Sequence, residues 1–146
     1  MKIHINEDPQ YKEIEITINC NRLSPDIERL ISMLRVYDLK LTGKKDGQSY
    51  ILDAAKVLYI DTVDKKTFFY TKTDVYETDL KLYELEDMLA AMDFFRANKS
   101  CIINLHQIIS IKPDIDGKLL VTMSNKEKLY VSRQYSPIIK ARLGVR

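Results

Sequence analysis

Three short groups of side chains carry hydrogen-bond donors and positive charge at a density that suits an anionic partner. They are Lys65-Lys66-Thr67, then Arg96, Asn98, Lys99 and Ser100, then Ser132-Arg133-Gln134-Tyr135. Lysine and arginine neutralise phosphates, while arginine, asparagine and glutamine also carry the paired groups that read base edges bidentately. Arg96 and Lys99 suit phosphate or guanine; for Arg96 the competing role is an internal ion pair, with Asp93 as one partner. Asn98 either pairs with adenine or holds its loop. A lysine pair between two strands is, taken alone, an ordinary solvated loop.

The charge distribution singles out the same region. The 146 residues hold 23 Lys+Arg and 21 Asp+Glu, for a net charge of +2. Residues 1–40 carry a net −1, residues 41–95 a net −4 and residues 96–146 a net +7. A basic last third on a near-neutral chain is the footprint of a polyanion partner, most simply nucleic acid; a solvated basic face is the plain alternative.

Other chemistries find little support. The two cysteines, Cys20 and Cys101, are far apart, and His4 and His106 are the only histidines, so neither a disulfide framework nor a metal cluster is expected. No GxGxxG or GxxxxGK[ST] occurs. Asp61 and Asp64 flank a turn without a basic partner and read as a solvated face. No catalytic set, cofactor or metal is expected, and an enzyme is the least supported class. Cys101 lies among cations that lower a thiol pKa, but its alternation with Ile102 and Ile103 marks it as a buried structural residue. Asn104 reads as a turn residue. No apolar run reaches the roughly 20 residues of a membrane span, and residues 1–8 mix charge with apolar groups unlike a signal peptide. A reducing, cytoplasmic setting without membrane insertion is expected.

The elements that must position these groups are mostly strands. Residues 2–6 and 13–19 place Ile3 and Ile5, then Ile14, Ile16 and Ile18, at period two around Pro9, which predicts a hairpin-like pair. Ser24-Pro25-Asp26 predicts a helix start, and Ile27, Leu30, Ile31 and Leu34 extend it to about Tyr37. Its apolar stripe is expected against an intramolecular sheet, with a second subunit as the alternative. Further strands are predicted over 39–42, 48–53, 57–62, 67–71, 75–78, 102–104, 108–112, 118–123 and 128–131. Asp46-Gly47 and Asp116-Gly117 are turn signals. Leu82, Leu85, Met88 and Leu89 predict one short helix. A last helix is predicted from Ser132 as N-cap, carrying Tyr135, Ile138, Ile139 and Leu143, with its N-terminus suited to a phosphate.

Four ordered blocks resemble the LytTR DNA-binding domain family. Asp93-Phe94-Phe95-Arg96-Ala97-Asn98-Lys99-Ser100-Cys101-Ile102-Ile103-Asn104-Leu105-His106-Gln107-Ile108 is similar to its signature block. Val57-Leu58-Tyr59-Ile60-Asp61, Leu82-Tyr83-Glu84-Leu85-Glu86 and Leu129-Tyr130-Val131-Ser132-Arg133-Gln134-Tyr135 resemble the strand, helix and closing segment around it. The resemblance covers about residues 41–143. It implies a mainly β (α+β) fold, an elongated stack of small antiparallel sheets with short helices, whose loops enter successive major grooves. It also makes Lys65 and Lys66 a DNA-contacting loop, Thr67 a base contact, and Arg133 or its neighbour Gln134 a base reader.

The domain plan is a short β-β-α leader over residues 1–40 and a DNA-binding domain over 41–146. The leader lacks the length and the acidic pocket of a phosphoacceptor receiver domain, as in stand-alone, response-regulator-like members of the family. The function expected is sequence-specific binding of double-stranded promoter DNA, with a homodimer on repeated half-sites. The competing class is a β-rich protein-interaction module that has lost DNA binding. An RNA-binding role is disfavoured, because exposed aromatics are not interleaved with the basic segments.

Overall fold

Local signals at residues 24–38 build the first helix. Ser24 Oγ accepts from the Ile27 amide at 3.4 Å, Pro25 occupies the first turn, and Asp26 and Glu28 sit at the positive end of the helix dipole. The computed structural model describes residues 1–145. Its helices are α1 (Pro25–Asp38), α2 (Leu82–Leu89) and α3 (Ser136–Leu143). Its strands are β1 (Lys40–Lys45), β2 (Gln48–Asp53), β3 (Tyr59–Val63), β4 (Lys66–Tyr70), β5 (Val75–Thr78), β6 (Phe94–Asn98), β7 (Cys101–Asn104), β8 (Ile108–Pro113), β9 (Leu119–Met123) and β10 (Lys128–Val131).

Every strand pairing is antiparallel, and the strands form two sheets in the orders β2-β1-β5-β4-β3-β7-β6 and β10-β9-β8. The β1–β2 hairpin joins the larger sheet through the single register pair Lys44–Glu77. One core gathers Ile60, Phe69, Phe94 and Ile102 with Leu82, Leu85 and Leu89 of α2 and Val36 of α1. The other gathers Leu58, Ile103, Leu119, Val121, Met123 and Val131 with Ile139 of α3. The larger sheet lies between the two cores, because Ile102 and Ile103 point to opposite sides.

Helix α1 packs onto this body. It packs against residues 54–56 and 90–92, and the Leu39 carbonyl that follows it accepts from the Ala54 amide at 3.0 Å. Its Ser32 Oγ lies 3.4 Å from His106 Nε2, which lies 3.2 Å from Asp93 Oδ2; Arg142 Nε of α3 donates to Asp93 Oδ1 at 2.6 Å. His106 and Arg142 thus meet at one buried carboxylate, and α1 reaches it only through His106. Burial lowers the His106 pKa below its ordinary value; Arg29 and Arg142 act the same way and Asp93 opposes them.

Three expectations are corrected. The leader strands at 2–6 and 13–19 are not formed: only the turn is set, with the Tyr11 amide donating to the Asp8 carbonyl at 3.1 Å. Strand β6 was absent from the sequence pattern, because both of its faces are covered and a bulge between Arg96 and Asn98 breaks the alternation. Helix α3 starts at Ser136 rather than after Ser132, whose carbonyl instead accepts from the Tyr135 and Ser136 amides in a turn. A phosphate site at a helix N-terminus therefore does not exist at Arg133. The mainly β fold of antiparallel sheets with short helices is present as expected, as a seven-stranded sheet with a three-stranded one.

Candidate nucleic-acid interface

The β6–β7 connection is the centre of the arrangement. Asn98 is opposite Cys101, leaving Lys99-Ser100 as a two-residue turn. The Asn98 Oδ1 atom accepts from the Ser100 amide at 3.0 Å and from Ser100 Oγ at 3.1 Å, while its Nδ2 donates to the Tyr130 carbonyl at 3.1 Å. One amide side chain thereby shapes the turn and ties it to β10. Arg96 acts on the same turn from the other side: Nη1 donates to the Lys99 carbonyl at 2.7 Å and Nη2 meets Glu86 Oε1 at 3.3 Å.

Two backbone bonds draw in the flanking turns. The Thr62 amide donates to the Ser100 carbonyl at 2.9 Å, next to the β3–β4 turn, where Asp64 and Lys65 adopt positive φ. The Ser132 amide donates to the Ala97 carbonyl at 2.8 Å, which places Arg133 and Gln134 beside β6. The Arg133 stem then lies over Gly117, where a Cβ would stand 2.9 Å from Arg133 Cγ and φ is +76°. Glycine at 117 therefore serves both the left-handed turn and the approach of this arginine. All three sequence-defined groups lie along one stretch of linked turns.

Their individual exposures differ. Lys65, Lys66, Lys99, Ser100, Arg133 and Gln134 face solvent. Thr67 does not: it is 4% exposed, opposite Thr62 and Thr78 in the sheet, which corrects its expected role as a base contact. Of the two roles open to each, Asn98, 6% exposed, holds its loop, and Arg96, with a side chain 15% exposed, makes an internal ion pair. The partner in that ion pair is Glu86, not Asp93, the one named as a candidate. Asn104 is fully buried as a turn residue, donating from Nδ2 to the Val57 carbonyl and accepting from the His106 amide. Burial pushes the Cys101 thiol up to about 12, with Asp61 adding to the shift and Arg96 opposing it. Cys101 is thus protonated and inert.

Residues outside the three groups extend the basic surface. Register aligns Lys112, Leu120 and Tyr130 in one row and Ser110, Thr122 and Lys128 in the next, on the face of the smaller sheet away from the core. Lys118 Nζ stands 6.0 Å from the Tyr130 ring centroid. Alternation within 118–123 and 128–131 contained this signal; only its proximity to Asn98 was invisible.

Among the described residues no group of metal-ligating side chains occurs, and no helix is long and apolar enough to cross a membrane. An antiparallel body presenting linked cationic turns has the form of a polyanion-binding module. Residues 47–144 match the LytTr DNA-binding domain family, and the chain belongs to that family. It is similar to the "LytTr DNA-binding domain of putative methyl-accepting/DNA response regulator from Bacillus cereus", with 30% identity, a TM-score of 0.68, and coverage of 72% of this chain and 96% of that one. Relatives in Staphylococcus aureus strains COL and MW2, each described as an uncharacterized HTH-type transcriptional regulator, are 25% identical over 99% of both chains. The described residues of this chain contain no two helices joined by the short turn of a helix-turn-helix. This protein is a DNA-binding transcription regulator of β-built type.

Proposed function

We propose that this protein regulates transcription by sequence-specific binding of double-stranded DNA, with its linked turns entering successive major grooves. The observation that carries the reading is the joining of three cationic turns through Asn98, Ser100 and Ala97. Lys65, Lys66 and Lys99 are the phosphate contacts, Ser100 donates to the backbone, and Arg133 with Gln134 reads base edges. Arg96 and Asn98 position Lys99, and Thr67 supports the β3–β4 turn from within the sheet. Residues 41–146 form the DNA-binding domain and residues 1–40 a leader to it. The protein works in the cytoplasm as a non-enzymatic, response-regulator-like homodimer on repeated half-sites, since one module spans only about two grooves and linked binding raises effective affinity.

Footprinting on the DNA upstream of its own gene, followed by titration against salt, tests this. With roughly four to six phosphates neutralised per subunit, log K falls with log salt at about −0.9 per phosphate. No binding to any duplex at low salt, or a flat salt response, overturns the reading.

A further inference from the structure

A cleft of about 480 Å³ lies between the β1–β2 hairpin and the turn that joins β4 to β5, a size within the range of small-ligand sites. Its floor is apolar: Leu58 is 1% exposed and Leu52 9%, and Tyr76 forms one wall. Gly43 of β1 sets that wall, since a Cβ there would stand 2.6 Å from Tyr76 Cβ and force the hairpin away. The neutral polar groups of the lining already have partners. Gln107 donates from Nε2 to the Ala55 carbonyl at 2.9 Å and accepts from Ser124 Oγ at 2.8 Å. Thr71 Oγ1 donates to the Asp74 carbonyl and accepts from the Asp74 amide, and Thr73 Oγ1 donates to Asp74 Oδ2 at 2.8 Å. The two acids are answered as well: Lys40 holds Asp53 and Lys45 holds Asp74, and each pairing keeps its carboxyl below the ordinary value. What remains is positive. Lys56 and Lys72 stand exposed on the rim. Lys56 comes only within 3.8 Å of Asp53, and Lys72 makes no ion pair among the described residues.

We infer that this cleft binds a small amphipathic anion, with its apolar body against Leu52, Leu58 and Tyr76 and its acidic group at Lys56 and Lys72. An apolar floor between satisfied walls gives an uncharged polar ligand nothing to bond, and it penalises any polar group carried inward. Two ammonium groups at the mouth favour an acid over an amine, and a charge-assisted bond there fixes which end of the ligand points out. A flat aromatic body suits the wall, because the Tyr76 ring is already tilted against Tyr50 with centroids 5.4 Å apart. The site is separate from the linked turns. Strands β3 and β4 each run between the cleft and the turn at Asp64-Lys65, and β7 runs from Lys99-Ser100 back towards Gln107. A five-residue strand spans about 17 Å, so an anion in the cleft leaves the DNA-contacting groups free. Its lysines are also not those of the DNA surface, so the inference does not rest on the proposed function.

The test follows the amide NMR shifts of the full chain without DNA during titration with benzoate at constant ionic strength. Benzamide, which lacks the charge, and acetate, which lacks the apolar body, are titrated beside it. The expected result is saturable shifts over residues 51–56 and 71–76 with roughly millimolar affinity for benzoate. Benzamide and acetate are each expected to bind at least about tenfold more weakly. The double variant Lys56→Gln/Lys72→Gln is expected to lose about tenfold in benzoate affinity while the rest of its spectrum is unchanged, since both side chains are exposed. No saturable shift in the cleft up to about 50 mM benzoate, or benzamide binding as well as benzoate, overturns the inference. So do shifts centred on Lys65, Lys99 and Arg133, which would mark a general attraction of anions to the basic surface, and so does a double variant that binds benzoate as the parent does. No duplex enters these measurements, so the cleft and the DNA reading stand or fall separately.

Discussion

Strand β9 and residues 13–19 share one pattern and have opposite fates. In β9, Leu119, Val121 and Met123 alternate with Leu120 and Thr122, and the first set is fully buried. In the leader, Ile14, Ile16 and Ile18 alternate with Glu15 and Thr17, and Ile14 is almost wholly exposed. What separates them is company: β9 lies between β8 and β10 and faces the second core, whereas residues 13–19 belong to neither sheet and neither core. Period two states which side of a strand is apolar. It does not state what covers that side.

The largest expected effect tests this contrast directly. Ile103→Ala, in the core between the sheets, is expected to cost about 2–5 kcal/mol of unfolding free energy through lost burial and the cavity left behind. Ile16→Ala is expected to change the body's unfolding by under about 0.5 kcal/mol in dilute protein, as surface substitutions do. Urea titration of both measures it. Equal losses would mean that the leader folds with the body and that the contrast is false.

The same distinction explains how much was legible in advance. Strand positions such as 75–78 and 128–131, and the short helix around Leu82, follow from periodicity because one face of each is buried and the other is wet. Strand β6 escaped that logic because Phe94 enters one core while Ala97 enters the other, so no wet face remains. The family signature located the basic turns, but residue type alone did not separate groups that face DNA from groups that shape the loop. Arg96 and Lys99 are both cations three positions apart. Only the contacts show that one is half-buried and held by Glu86 and the Lys99 carbonyl while the other faces solvent. Tertiary hydrogen bonds have no periodicity, so neither the Asn98–Tyr130 link nor the Ser132–Ala97 link had a sequence signal.

A second pair of variants sharpens the comparison between shaping and contacting groups. Asn98→Ala leaves the Tyr130 carbonyl and the Ser100 amide without their partner. It is expected to cost about 1–3 kcal/mol of stability and to weaken binding to every duplex. Arg133→Ala is expected to leave the melting temperature unchanged, to cost about 1–3 kcal/mol of binding and to relax preference at one base position. Lys99→Ala is expected to weaken all sequences alike and to reduce the salt slope by about one. Calorimetry together with binding to a panel of singly substituted duplexes separates the three. A melting loss for Arg133→Ala as large as that for Asn98→Ala would place Arg133 among the shaping groups.

The smallest effect concerns the boundary between the two regions, because α1 lies between the bare leader and the body. Its Ser32 reaches His106, and His106 reaches Asp93, so the state of one imidazole bears on how firmly α1 is held. Burial, with Arg29 and Arg142, lowers the folded-state pKa of His106 below the value near 6.5 that it has when unfolded. Between those two values the unfolded chain binds more protons than the folded one, so stability rises with pH there. The contribution is complete above the unfolded value and is lost as pH falls from about 6.5 towards the folded one. Melting is therefore expected to drop modestly from pH 7.5 to pH 5.5, and His106→Gln is expected to flatten that slope while keeping a donor for Asp93. Hydrogen exchange adds the spatial test: at the lower pH the amides of α1 should open before those of β3 and β7. If α1 and the central strands instead lose protection together, the helix is an inseparable part of the body and the boundary of the leader moves back to about residue 24.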